Sequence, residues 1–160
     1  MGAVRNMVRG FIYATIYVVF TIIIPVLTYS WVRSMYVQGF PIHLEQQEYQ
    51  NIIFWVTALG LIISSCAFFN YSSPKKSIRR GTFALIQVLV NSLYIWSYKF
   101  SGATTINFVI LNMGYISLNL QQMILVYLGV YFFSIILKVY DIIDFIINRK
   151  KLRENRMKAL

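Results

Sequence analysis

Four long apolar blocks alternate with polar connections along the chain. They run from Phe11 to Trp31 (FIYATIYVVFTIIIPVLTYSW), from Ile52 to Asn70 (IIFWVTALGLIISSCAFFN), from Gly81 to Tyr98 (GTFALIQVLVNSLYIWSY) and from Met123 to Tyr140 (MILVYLGVYFFSIILKVY), the last staying apolar to Ile147. Each is close to the roughly 20 residues that carry a helix across a hydrocarbon core. Lipid gives an unpaired backbone N–H or C=O no partner, so isolated strands are excluded there and helices are expected. The pattern predicts an all-α integral membrane protein, a four-transmembrane-helix bundle, as one membrane domain over residues 1–160. The spans are expected near 11–31, 52–70, 81–98 and 123–140.

One connection breaks the helical pattern. In ATTINFVILNMGYISLNLQQ, from Ala103 to Gln122, apolar and polar residues roughly alternate. Ile106, Phe108 and Ile110 fall on one strand face, and Ile116, Leu118 and Leu120 follow the same rule after Asn112-Met113-Gly114. A period of two with one apolar side predicts half-buried strands, and Gly114 suits a tight turn. A short β-hairpin between the third and fourth spans is therefore expected. A two-stranded hairpin is marginal alone, so its apolar face needs cover from its own bundle or from a partner.

Composition agrees with a membrane setting. The 160 residues are 58% hydrophobic and 12% charged, against about a quarter charged in soluble domains. The formal net charge of +10 would suggest nucleic acid in a soluble protein, but its distribution gives another cause. Of the 15 basic residues, all but Arg33 and Lys99 fall at one side: Arg5 and Arg9, the Lys75–Arg80 connection, Lys138, and the tail from Arg149 to Lys158. This follows the positive-inside rule and predicts both termini in the cytoplasm, with outer loops at about 32–51 and 99–122 and a basic cytoplasmic tail at 148–160. Anionic headgroups at the cytoplasmic face become the expected partner of that tail, and nucleic acid does not. The plasma membrane is the expected location. The first block is too long for the apolar core of a cleaved signal and lacks a small-residue exit, so it reads as a span. Trp31, Tyr36, Trp55, Trp96 and Tyr98 at the outer ends, and Tyr71 and Tyr140 at the inner ends, suit the interfacial depth that amphipathic rings prefer.

Within the spans, three features point to helix packing. Thr57, Gly60, Ser64 and Ala67 are spaced three, four and three, and so form a small-residue seam along one face of the second span, where another helix can approach closely. Gln87, Asn91, Tyr94 and Tyr98 are spaced four, three and four, and form a polar stripe along the third. Amides in hydrocarbon need partners, so this stripe should face inward and bond between helices. Pro25 interrupts the first span: its ring and missing N–H should bend the helix, and the carbonyl of Thr21 loses its usual donor.

At the inner end of the fourth span, LKVYDIIDFIINRKKLRENRMK continues with no Pro or Gly to stop it. Lys138 and Asp141, three apart, can pair. Asp144 and Asn148 lie four apart on a neighbouring face, and Lys138 can snorkel. In the first outer loop, a turn is expected at Gly39-Phe40-Pro41, with a helix soon after. His43 and Glu45 lie roughly 200° apart around a helix and diverge, which disfavours a metal site with Glu48. Cys66 stands alone in an apolar block and suits a small core side chain.

No Ser/His/Asp set, cysteine pair, glycine-rich phosphate loop or paired mid-membrane carboxylates appear, so neither an enzyme nor a cofactor is expected. Two functions remain. The first is a non-catalytic membrane subunit or scaffold that binds other membrane proteins, or itself, through its bundle, outer hairpin and basic tail. The second is a small oligomeric channel or transporter with a polar path along the third helix.

Overall fold

The computed structural model of the protein describes residues 2–37, 46–74, 77–101, 105–110 and 114–158. In chain order the elements are α1 (Gly2–Val18), a π-helical turn (Val19–Ile23), α2 (Ile24–Val37), α3 (Gln46–Ser72), α4 (Ile78–Phe100), β1 (Thr105–Ile110), β2 (Gly114–Asn119) and α5 (Gln121–Lys158). Because α1, the π turn and α2 are continuous, the described chain has four long helices.

Three of these are long and apolar enough to cross a membrane: Val4–Ser34, Gln46–Ser72 and Gln121–Asn148. The fourth expected span, α4, is long enough at 23 residues but is not in that apolar class. Gln87, Asn91 and its tyrosines lower its apolar character, and it sits between α3 and α5. The helices also extend past the expected spans, because a helix in contact with neighbours need not stop where its apolar run stops. At 38 residues α5 is the longest. At 1.5 Å per residue it reaches about 57 Å, nearly twice a hydrocarbon core of about 30 Å.

Neighbours in sequence pack as neighbours in space: α1 on α3, α3 on α4, and α4 on α5. Helix α3 is the centre. In its apolar stretch 44% of residues are buried, against 6% in the first and last helices. Ile52, Val56, Ile63 and Tyr94 form the core, with Tyr29, Leu59, Val90 and Tyr98 packed around them. Outward, the first long helix presents Phe11 from α1, Phe20 from the π turn and Leu27 and Trp31 from α2, and α5 presents Val126, Phe132, Phe133 and Leu137, all well exposed. This inside-out distribution is that of a chain whose solvent is lipid.

The short α3–α4 connection is closed by Ser77, whose side chain accepts from the Arg80 N–H and caps α4. Such a cap satisfies one of the orphan donors of the first turn. Strands β1 and β2 pair antiparallel, with Ile106 opposite Leu118, Phe108 opposite Ile116 and Ile110 opposite Gly114. Leu120 follows β2, and the Asn119 side chain accepts from the Gln121 N–H at 2.9 Å as α5 begins. The turns expected at Gly39-Phe40-Pro41 and at Asn112-Met113, and the residues His43 and Glu45, lie outside the described residues.

Candidate functional site

Helices α3 and α4 both meet the first long helix at the turn that precedes Pro25. In an α-helix, Thr21 O would accept from the N–H of residue 25, which proline lacks. The chain widens to a π turn just before it, with Ile24 N–H donating to Val19 O. Such turns gather at prolines and at functional positions. The exposed Thr21 carbonyl then accepts from the Tyr94 hydroxyl of α4 at 2.9 Å. Tyr94 in turn accepts from the Tyr98 hydroxyl at 3.0 Å, and Tyr29 stacks on the Tyr98 ring.

The small-residue seam seats α3 against this same turn. Gly60 is buried with Ser64 and Ala67, and Thr57 is half-buried. A Cβ at Gly60 would lie 2.5 Å from Ile22 Cγ1 and 3.2 Å from Thr21 O. The Ser64 hydroxyl donates to Gly60 O at 2.8 Å, so that hydroxyl finds its partner within α3 itself.

Further along the bundle, Asn70 Nδ2 donates to Gln87 Oε1 at 3.1 Å, joining α3 to α4 with both residues buried. Gln87 and Asn91 then line a cavity of about 280 Å³ together with Tyr17, Asn70, Arg80 and Lys138. A second cavity, about 200 Å³, lies between the start of α4 and α5. It shares Arg80, Ala84 and Lys138 with the first and adds Ser77, Asp141 and Phe145. Thus the polar stripe does not act as one unit. Tyr94 and Tyr98 serve the π turn, Gln87 serves Asn70, and Asn91 faces the cavity.

The basic end closes around these cavities. Lys138 Nζ meets Asp141 Oδ2 at 3.4 Å, with the two side chains 42% and 64% exposed. Asn148 Nδ2 donates to Asp144 Oδ1 at 2.9 Å. Across the bundle the guanidinium of Arg9 lies over the rings of both Tyr13 and Tyr71, which stack with centroids 3.8 Å apart. At the other end Arg33 covers the Tyr49 ring at 4.8 Å, and Tyr49 shares a hydrogen bond with Ser30.

Two close approaches escaped the sequence reading. A Cβ at Gly10 would lie 2.9 Å from Ser72 Cβ, and one at Gly81 would lie 3.1 Å from Ile142 Cγ1. Each glycine stands just outside or at the edge of an apolar block, where no seam of small residues like that of the second span marks a packing face. Asn70 was also missed as the partner of Gln87, since it closes a block that ends in loop-forming residues. Cys66 is buried in α3.

No family model, curated protein or solved structure matches this chain.

Proposed function

We propose that this protein is a non-catalytic multi-pass membrane subunit. With four spans, both termini and the basic tail lie in the cytoplasm, and the β1–β2 hairpin lies on the outer side. The observation that carries this reading is how the interior polar groups are used. Tyr94 serves Thr21 O, and Asn70 serves Gln87. Groups committed to each other hold helices together and leave little to act on a substrate. What the protein then offers to partners is the exposed aromatic and aliphatic surface of α5, together with the hairpin and the basic tail. Membrane-protein partners, or a second copy, would dock there, and the tail would draw on anionic headgroups. The plasma membrane suits this arrangement.

A second function has one observation in its favour: Gln87 and Asn91 line a polar cavity. An oligomeric channel or transporter with its path along α4 would use it. Arg80 and Lys138 at the basic end of that path disfavour cations.

Purification in mild detergent, with mass determination and identification of bound proteins, tests the subunit proposal. A co-purifying membrane protein or a defined homo-oligomer is expected, and a lone monomer overturns it. If Gln87→Leu with Asn91→Leu abolishes a measured flux while abundance and assembly stay normal, the channel replaces the scaffold.

A further inference from the structure

We propose that the joined cavities at the basic end of the bundle form a binding site for a phosphate group, with Arg80 and Lys138 as its cationic ligands. The two side chains line both cavities. One carboxylate, Asp141, shares the smaller cavity with them, and its contact with Lys138 is a single 3.4 Å approach between partly exposed groups. Pairs of that kind contribute little, so an incoming anion competes with it readily. Among the described residues Arg80 forms no ion pair. The walls thus carry one positive charge more than they neutralise, beside a bundle whose low dielectric strengthens charge interactions. A single anion between Arg80 and Lys138 supplies the balance, and a guanidinium matches phosphate oxygens in bidentate fashion.

The rest of the cavity sets what the phosphate carries. Above Arg80 the wall is polar: Tyr17 and Asn91, with the mutually bonded Asn70 and Gln87 behind them in the lining. Beside Lys138 it is apolar, through Ala84, Ile142 and Phe145. The larger cavity, about 280 Å³, lies just under the usual small-ligand range of roughly 300–1,000 Å³. It therefore suits a polar headgroup rather than a whole lipid, whose chains would remain outside against α5. The same chemistry fits a soluble phosphate compound. The inference rests on the membrane reading above only for placing this end at headgroup depth; it is independent of whether partner proteins bind.

The test uses the full chain in nanodiscs and in detergent. Native mass spectrometry compares retention of phosphatidylglycerol from mixed phosphatidylcholine/phosphatidylglycerol nanodiscs for three proteins: the unaltered chain, Arg80→Gln/Lys138→Gln, and a tail control, Arg153→Gln/Arg156→Gln. The unaltered chain and the tail control should hold one phosphatidylglycerol, and the cavity variant should hold it at least about tenfold more weakly, as expected for loss of charge-assisted contacts. Where the unaltered chain retains phosphatidylglycerol, equal retention by the cavity variant, or equal loss by the tail control, overturns the site. In the second arm, inorganic phosphate is titrated in lipid-free detergent. Saturable stabilisation that Arg80→Gln abolishes, without lipid retention, assigns the site to a soluble phosphate compound. No response in either arm overturns the proposal. Should the double variant fail to fold, Arg80→Lys, which keeps the charge and loses the bidentate fork, replaces it, and unchanged binding then overturns the role of Arg80. Bound partner proteins are counted in the same spectra, so failure of the subunit reading is read separately.

Discussion

The hydroxyl of Tyr94 on α4 donates to the main-chain carbonyl of Thr21 in the π turn, at 2.9 Å. A proline four residues on removes that carbonyl's usual donor, and a phenol from a distant part of the chain supplies the replacement. The bond therefore ties the bend in the first helix to the position of α4. It also explains why the Gly60 face of α3 fits against Ile22, since all three elements meet at one place.

Tyr94→Phe should destabilise the bundle by about 1–2 kcal/mol, because it leaves a carbonyl without a donor in a low-dielectric interior. In a Pro25→Ala background the loss should shrink, since the substituted alanine offers its own N–H to Thr21 O. Thermal unfolding in detergent, arranged as a double-mutant cycle, measures the coupling. Additive effects would show that proline and phenol are unrelated.

Gly60→Ala should cost about 1–3 kcal/mol through overpacking, because its Cβ would fall 2.5 Å from Ile22 Cγ1. Pairing it with Ile22→Ala should recover part of that loss. Melting temperatures of the two single variants and the double variant decide the matter.

Gln87→Leu strands the amide of Asn70 and should cost on the order of 1–2 kcal/mol. Removing both amides with Asn70→Leu should be milder than the sum of the single changes, since an unpaired amide is worse than none. Equal or greater loss in the double variant would mean that water in the adjoining cavity serves both groups.

Lys138→Gln and Asp141→Asn should each shift stability by less than about 1 kcal/mol, because the pair is partly exposed and such pairs are weak. Unfolding measured at low and high salt checks this. A large loss would make the pair structural.

Much of the molecule was legible in the residue pattern because lipid imposes simple rules. Apolar runs of helical length marked the cores of all four long helices, though α4 proved too polar for the apolar class. The spacing of Gln87, Asn91, Tyr94 and Tyr98 marked one helix face, and Pro25 marked an orphaned carbonyl at Thr21. Spacing along one helix says nothing about which residue of another helix will meet it. That is why Gln87 and Asn91 belong to one stripe in sequence and line one cavity, yet only Gln87 is paired with Asn70 of α3.

What the sequence alone determined is the set of helices, the packing faces of α3 and α4, and the concentration of basic residues in particular connections and the tail. Local backbone geometry and the transfer of apolar groups to lipid decide these, and both are properties of consecutive residues. What only the tertiary structure decided is the partnering: Tyr94 with Thr21, Asn70 with Gln87, Gly60 with Ile22, Gly10 with Ser72, and Arg80 with Lys138 around a shared cavity. These depend on how far each helix slides and turns against its neighbours. That is set by the fit of whole surfaces rather than by the order of residues in any one of them.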